Sequence, residues 1–252
     1  MKKRFKLQPM LLLAIAAVLL LASTVGSTQA ALLYYSDNYV ANVEVSNIGV
    51  SLVENDEVIN YRDYNKDGRW NRPETISTTV LMKDLLGEDT KVIPGKTYEE
   101  KIQVANSGAI DSYVRVIIKK YWVDEDGKKV TEKLDPSYIV LKKSSSGKWV
   151  KSNDTTDERE IFYYTDILKA PENNEIDITD PVIDGIKINE AVSKEIIRYT
   201  NGSTVWYEYK YDGYSFVVGA EVQAIQTHNA VDAIKSAWGV DATITGGKLK
   251  VN

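Results

Sequence analysis

Along most of the chain, apolar and polar residues alternate with the period of two that is typical of half-buried β-strands. The segment SYVRVIIKKYWV, from Ser112 to Val123, is a long β-branched and aromatic run and predicts a central strand. Looser or shorter apolar patterns predict further strands at 38–54, 97–106, 136–142, 148–151 and 159–165. Several short strands separated by turn residues are typical of a β-sandwich or a jelly roll.

Pairs of turn residues predict where these strands reverse direction. Asp212-Gly213 separates two long alternating arms and is the strongest hairpin signal in the chain. On the first arm, the alternation places Tyr207, Tyr209 and Tyr211 on one face. Further hairpin candidates are Asp126-Gly127, Asn201-Gly202 and Gly246-Gly247.

Helical patterns are short and few. One short helix fits residues 77–87, and a better one fits 229–239, with Asn229 as the capping residue and Gly239 as the stop. Its expected buried face holds Val231, Ile234 and Trp238. The sequence therefore predicts an all-β fold, an antiparallel jelly-roll-like β-sandwich with one or two short helices after an N-terminal signal helix.

The first thirty residues have the pattern of a secretory signal peptide. Basic residues precede an apolar run from Met10 to Ala22, which as a helix spans about 20 Å and is shorter than a ~30 Å hydrocarbon core. Small residues follow, so we expect cleavage between Ala30 and Ala31. The mature chain, 31–252, then forms one β-sandwich domain with an insert at about 55–93. Any membrane contact would come only from an uncleaved signal segment.

Composition narrows the classes of function. The 252 residues include 31 basic and 36 acidic side chains, a net charge of −5, so we expect no nucleic-acid partner. No cysteine is present, which excludes disulfides and thiolate ligands, and His228 is the only histidine. A zinc peptidase of the His-Glu-x-x-His type requires two histidines. We therefore expect that the protein is not an enzyme, although no carboxylate pattern decides for or against glycosidase chemistry.

The stretch RDYNKDGRWNRPE, residues 62–74, carries the spacing of an EF-hand calcium loop. Its oxygen ligands would come from Asp63, Asn65, Asp67, the Arg69 carbonyl, Asn71 and Glu74. Gly68 would supply the sharp turn, but Pro73 and the flanking residues do not fit the helices of an EF-hand. A structural Ca²⁺ on a β-flanked loop is the hypothesis, and a solvated loop held by Asx turns is the alternative.

Three stretches together resemble the TasA/camelysin-type proteins of Gram-positive bacteria, which are exported through a SipW-type signal peptidase. The matching features are Tyr35-Ser36-Asp37 with Asn42 and Gly49, then Pro94-Gly95 before a strand that ends in Asn106-Ser107-Gly108, and finally Val222 to Gly239. Pro94-Gly95 turns the chain into the strand, and residues 106–108 tolerate left-handed backbone and bond their own main chain. The likeness covers Leu11 to about Trp122 well and residues 124–220 loosely.

The resemblance implies a secreted jelly-roll protein, a subunit or accessory of biofilm-matrix or surface fibres at the surface of a Gram-positive-type bacterium. Subunits of that family can lend an N-terminal strand to a neighbour's sheet. Here the donor strand would contain Leu32, Leu33, Tyr34, Tyr35, Val40, Val43 and Val45. The expected partners are further copies of the chain or sibling matrix proteins, and a signal peptidase during export.

Two alternatives stay open. The 16 tyrosines and 5 tryptophans could form a glycan-binding face, so the protein could be a monomeric calcium- or glycan-binding surface module. Camelysin-type relatives are classed as metallopeptidases, and the single histidine argues against that activity here.

We expect calcium to raise the melting temperature of the mature protein. Extracellular loops of this type bind calcium with dissociation constants of about 10⁻⁴–10⁻³ M, and ligand at ten times that value stabilises the fold by about 1.4 kcal/mol. Thermal unfolding in calcium and in magnesium measures the effect. Asp67→Ala should abolish it, whereas Asp212→Ala, in an unrelated acidic turn, should retain it. Equal melting temperatures with and without calcium would contradict the hypothesis.

Overall fold

The structure, a computed structural model, describes residues 48–64, 70–71, 81–82, 85–86, 91–130, 134–173 and 175–252. The chain divides into Met1–Glu44 and Val45–Asn252, and every described residue belongs to the second unit. The predicted signal peptide and most of the predicted helix at 77–87 lie outside the described residues.

Strands dominate the described chain, which contains a single α-helix, α1 (Ala230–Trp238). The strands are β1 (Gly49–Glu54), β2 (Glu57–Tyr64), β3 (Trp70–Asn71), β4 (Thr97–Asn106), β5 (Ser112–Val123), β6 (Ile139–Lys143), β7 (Trp149–Lys151), β8 (Arg159–Tyr164), β9 (Ile183–Ile188), β10 (Ile196–Asn201), β11 (Thr204–Tyr209), β12 (Ser215–Gln226), β13 (Ala242–Thr245) and β14 (Lys248–Val251). Short 3₁₀ helices span Pro136–Tyr138 and Glu190–Lys194. The predicted all-β class is confirmed.

The strands form two larger antiparallel sheets and two ribbons. Sheet I has the order β3-β2-β1-β4-β9-β6, and sheet II has the order β12-β5-β8-β7. The ribbons β10-β11 and β13-β14 are each paired only within themselves in the described chain. All ladders run antiparallel, so neighbouring strands exchange hydrogen bonds perpendicular to the strand direction.

The strand order is that of a jelly roll. Without the β2-β3 extension and the ribbons, eight strands remain, and numbering them 1 to 8 along the chain gives 1-2-7-4 in sheet I and 8-3-6-5 in sheet II. Joined end to end, the two sheets give the ring 1-8-3-6-5-4-7-2, which is the rolled-up jelly-roll order. The ring is interrupted at two seams, one between β6 and β7 and one between β1 and β12.

Strand β5 has a neighbour on each side, as predicted for a central strand, and it is also covered on both faces. Its even-numbered side chains, including Val114, Val116 and Ile118, are fully buried in the main core between the sheets. Its odd-numbered side chains, including Tyr113 and Ile117, belong to a second core on the outer face of sheet II. A strand buried on both faces loses the polar alternation of a surface strand.

The second core is closed by α1 and the β13-β14 ribbon. Ile234 is fully buried there, and Trp238 packs against Tyr163 with ring centroids 5.6 Å apart. Arg115 of β5 lies over the Trp238 ring at 5.1 Å and donates a 2.8 Å hydrogen bond to the Gln223 side chain. The buried guanidinium thus joins β5, β12 and the helix.

The helix at 229–239 is confirmed, with two corrections. Gly239 ends it in the left-handed conformation, φ 72°, and its N–H donates to the Lys235 carbonyl. Asn229 occupies the N-cap position, but its side chain makes no capping hydrogen bond, because Asn229 adopts the left-handed conformation, φ 52°, in the sharp turn after β12. Val231 is exposed and Ala230 is buried in its place, so the predicted face was wrong by one residue.

Three of the four predicted hairpin turns are confirmed and the strongest one is wrong. Asp126-Gly127 reverses the chain so that Val123 bridges Lys129. Asn201-Gly202 joins β10 to β11, and Gly246-Gly247 joins β13 to β14. Asp212-Gly213 does not form a hairpin, since β11 pairs with β10 and β12 pairs with β5. The reason is Tyr211, which is buried against Trp122 with ring centroids 5.0 Å apart and draws the chain out of the ribbon into sheet II.

The turn positions named at 94–95 and 106–108 have structural roles. Gly95 is left-handed at φ 86° and donates its N–H to the Ile188 carbonyl at 2.7 Å. The buried Asn106 side chain donates to the Ile110 and Leu168 carbonyls and accepts from Gly108 N–H at 2.9 Å. The predicted bonding to nearby main chain is confirmed, and none of residues 106–108 has the left-handed backbone.

We expect Ile234→Ala to destabilise the protein by about 2–5 kcal/mol, because it empties a fully buried position between α1 and sheet II. Val231→Ala on the exposed face of the same helix should change the stability by less than about 0.5 kcal/mol. Urea unfolding of the two variants measures the difference. Equal losses would show that α1 does not pack as described.

Candidate functional site

The hydrogen-bond register shows which backbone groups of β12 are unused in the described structure. Thr227 N–H donates to the Asp111 carbonyl, one step beyond the Gln226–Ser112 pair. Because hydrogen-bonded pairs alternate in an antiparallel ladder, the backbone groups of the odd-numbered residues of β12 bond to β5. Lys120 N–H donates to the Glu158 carbonyl on the other side of β5, which fixes the same alternation. The N–H and C=O groups that point to the open edge therefore belong to Phe216, Val218, Ala220, Val222, Ala224 and Gln226.

This open edge is long and regular. The twelve β12 residues pair with β5 without a register shift, and the strand contains no proline. Natural sheets protect their edges with short strands, bulges, prolines or charged side chains. The single charge on β12 is Glu221, whose side chain lies 3.4 Å from Lys119 of the neighbouring strand. Strand β12, which contacts β1 at one seam, is therefore the candidate site for strand addition.

The other seam, between β6 and β7, is protected by charge. Asn189 N–H donates to the Tyr138 carbonyl, so the even-numbered residues of β6 bond to β9. The backbone N–H and C=O groups of the odd-numbered residues of β6 therefore point toward the seam. At the first of them, Ile139, the carbonyl accepts a 2.6 Å hydrogen bond from Nζ of Lys120, a buried side chain of β5. A side chain of sheet II thus satisfies an edge group of sheet I.

Glu160 of β8 completes this charged cluster. Its carboxylate lies 2.9 Å from Lys120 Nζ and 2.6 Å from Nζ of Lys151 on β7. Burial raises the pKa of Glu160, but the hydrogen bonds from Lys151 and Lys120 outweigh it and hold the pKa below its ordinary value. The Lys120–Glu160–Lys151 cluster therefore links β5, β6, β7 and β8 where no ladder joins the sheets.

A cavity of about 380 Å³ lies beside the cluster, lined in part by Val140, Leu141 and Thr155. Both lysine amines at its wall are already bound to Glu160. The charged groups at the cavity wall therefore belong to the contacts between β5, β7 and β8.

The structure places only two of the proposed calcium ligands, Asp63 in β2 and Asn71 in β3. They are register partners across an antiparallel pair, so the loop between them is flanked by strands. The remaining proposed ligands, Asn65, Asp67, Arg69 and Glu74, lie outside the described residues. Within the described ranges, no group of three or more His, Asp or Glu side chains is arranged to hold a metal ion, and calcium binding stays a prediction.

The proposed cleavage site and donor strand also lie outside the described residues. They are Ala30, Ala31, Leu32, Leu33, Tyr34, Tyr35, Val40, Val43 and Val45. The described chain begins at residue 48, directly before β1. No helix in the described part is long and apolar enough to cross a membrane. His228 is exposed just before α1.

The chain matches no protein-family model, no curated protein and no solved structure. The resemblance to the TasA/camelysin-type proteins therefore rests on the residues named above, and what it implies stays a prediction.

Sequence reasoning did not find the charged cluster or the β12 edge. Lys120 could have indicated the cluster, since it occupies an inward position of a long, largely apolar strand, where an unpaired charge would be costly. No sequence feature of β12 marked it as an edge strand, because the neighbours of a strand are set by the topology of the whole sheet.

We expect Glu160→Gln to destabilise the fold by about 3 kcal/mol at neutral pH, since it leaves the buried Lys120 without its counter-ion. The matched control is Glu158→Gln, which breaks an exposed pair with Lys129 and should cost less than about 1 kcal/mol. Denaturant unfolding measures both variants.

The cluster also predicts a pH dependence. Because the folded-state pKa of Glu160 is lowered, its contribution is fully present above the unfolded pKa of about 4.3 and is lost as the pH falls through the folded pKa. The stability difference between the wild type and Glu160→Gln should therefore shrink on acidification. A difference that is constant with pH would contradict the role of the charge.

Proposed function

We propose that this chain is a secreted structural protein, a subunit of extracellular fibres whose copies join by strand addition at β12. The observation that carries the proposal is the open edge of β12, twelve residues long and without the usual protection. Such an edge offers hydrogen bonds to any extended segment that can reach it, and side-chain positions on the added strand give specificity.

The segment before the described fold suits this edge. Residues 31–47, which precede the described part of the mature chain, contain the apolar and β-branched positions of the proposed donor strand. When extended, they span about 56 Å, whereas twelve strand residues span about 40 Å. One donor segment can therefore cover the edge and keep several residues as a connection to its own subunit.

Strand addition at β12 would also complete a buried layer. The outward-facing backbone groups belong to residues 216–226, whose even-numbered side chains pack toward the main core. Alternate side chains of a donor would extend that layer, in the manner of a further strand of sheet II. A jelly-roll subunit completed by its neighbour agrees with the secreted fibre proteins that the sequence resembles.

The alternative is a monomeric surface module that binds calcium or a glycan. The antiparallel pairing of Asp63 with Asn71 favours it, because it brings two proposed ligand positions together. The two functions differ in whether the mature protein self-associates.

We expect the mature protein, residues 31–252, to form fibres, and we expect deletion of residues 31–45 to abolish them. Ala220→Pro removes a backbone N–H that points to the open edge and leaves the β5 ladder intact, so it should also block assembly. Ala220→Ser keeps that N–H and is the matched control. Electron microscopy and sedimentation measure assembly, and the melting temperature reports whether each variant is folded.

A peptide complementation experiment tests the edge directly. A synthetic peptide of residues 31–45 should bind the deletion variant one to one and raise its melting temperature, and it should fail to do so with Ala220→Pro. A mature protein that stays monomeric at high concentration, or equal assembly of the proline and serine variants, would refute the proposal.

A further inference from the structure

The β10-β11 ribbon is the most exposed ordered part of the described chain. All twelve of its residues are exposed, and its two strands form a ladder only with each other in the described chain. Directly paired residues share a face of the ribbon. Face 1 contains Ile196, Arg198, Thr200, Val205, Tyr207 and Tyr209. Face 2 contains Ile197, Tyr199, Asn201, Thr204, Trp206 and Glu208.

Both faces carry large apolar side chains in contact with solvent. On face 1, Tyr209 is 62% exposed, Tyr207 59% and Ile196 55%. On face 2, Trp206 is 41% exposed and Ile197 39%. An isolated two-stranded hairpin is only marginally stable in water, and contiguous apolar patches on a soluble protein mark interaction surfaces.

The ribbon is held in a defined position by its base. Lys210 donates its N–H to the Glu195 carbonyl at 2.9 Å, and its Nζ lies 2.9 Å from the Glu195 carboxylate. The Tyr138 hydroxyl donates to the same carboxylate at 2.9 Å. These bonds join the ribbon to the sandwich at one end and leave both faces free.

The side chains of face 2 are also ordered. The Tyr199 and Trp206 rings stack at 5.4 Å with 16° between their planes, and Trp206 donates its indole N–H to Glu208 at 3.0 Å. The face is therefore an organised surface, with the Glu208 carboxylate fixed beside the aromatic pair.

The distribution of polar residues excludes insertion into a membrane as the main role. The tip of the ribbon, TNGST at 200–204, is polar, whereas the apolar residues lie between the tip and the base. Arg198 is the only basic residue on the two strands, although basic residues favour binding to anionic lipids.

Protein fits the surface better than glycan does. A glycan platform needs one aromatic face flanked by polar groups, whereas here β-branched aliphatic residues accompany the aromatics on both faces. The four aromatic side chains, 37–62% exposed, contribute on the order of 400 Å² of accessible area. One contact buries one face of each ribbon, so its aromatic area is on the order of 200 Å² per partner. This is below the ~800 Å² that each partner buries in a standard interface and fits a weak contact.

We propose that the β10-β11 ribbon binds a second copy of this chain, with face 1 of one ribbon packed on face 2 of the other. The charges are complementary in this arrangement, since face 1 carries Arg198 and face 2 carries Glu208. Packing like faces together would bring identical charges into one interface. The contact is heterologous, because different surfaces of the two copies meet.

This contact is independent of strand addition at β12. It uses other residues, and it should persist in Ala220→Pro, in which the β12 edge is blocked. The experiment is therefore carried out in Ala220→Pro mature protein, so that failure of the ribbon contact and failure of the fibre proposal give different results.

The test is charge reversal followed by mixing. Arg198→Glu places two carboxylates in the contact, and Glu208→Arg places two cations there. The dissociation constant for self-association of each variant alone should therefore rise by about tenfold or more. An equimolar mixture should recover association, since the carboxylate introduced on face 1 of one variant meets the guanidinium introduced on face 2 of the other. Sedimentation equilibrium measures the dissociation constants.

Lys194→Glu is the matched control for Arg198→Glu, because it makes the same change in net charge just outside the ribbon and should associate like the parent. Rescue on mixing, together with an unaffected control, supports the proposal. A parent protein that remains monomeric, single variants that associate as the parent does, or a mixture without rescue would overturn it. So would a monomer whose ribbon tryptophan responds to purified cell-wall glycan or to anionic vesicles.

Discussion

Every backbone N–H and C=O at the edge of a sheet must find a partner or face water, and this fold meets that constraint differently at each edge. At the β6/β7 seam, Lys120 reaches from one sheet to an edge carbonyl of the other, and Glu160 balances its charge. At the β1/β12 seam, nothing in the described chain does the same for β12. The edge at the β6/β7 seam is therefore protected, whereas the β12 edge is available to an added strand.

The two proposed contacts rest on different chemistry. Strand addition at β12 uses main-chain hydrogen bonds and depends on geometry more than on particular side chains. The ribbon contact depends on apolar area and on one pair of opposite charges at Arg198 and Glu208. A subunit with both could extend along one direction through its edge and associate with neighbours through its ribbon.

The features that the sequence predicted correctly are local. The apolar run of β5, the Gly239 stop of α1 and the turns at Gly202 and Gly246 each depend on a few adjacent residues. The Asp212-Gly213 hairpin failed because burial of Tyr211, a tertiary contact, overrides local turn preference. The open edge of β12 could not be predicted, since a strand becomes an edge through the placement of distant strands. The calcium motif is local, and most of it lies outside the described residues.

The pairing of β12 with β5 also bears on how the chain folds. Ser215 pairs with Val123 and Gln226 with Ser112, so about a hundred residues separate the partners of the central ladder. Contacts of such long sequence separation slow folding, because the entropy of loop closure is lost before the contacts form. Sheet II therefore cannot be completed until nearly the whole chain has been synthesised. Until then, the side of β5 that later pairs with β12 is an exposed edge of the growing chain.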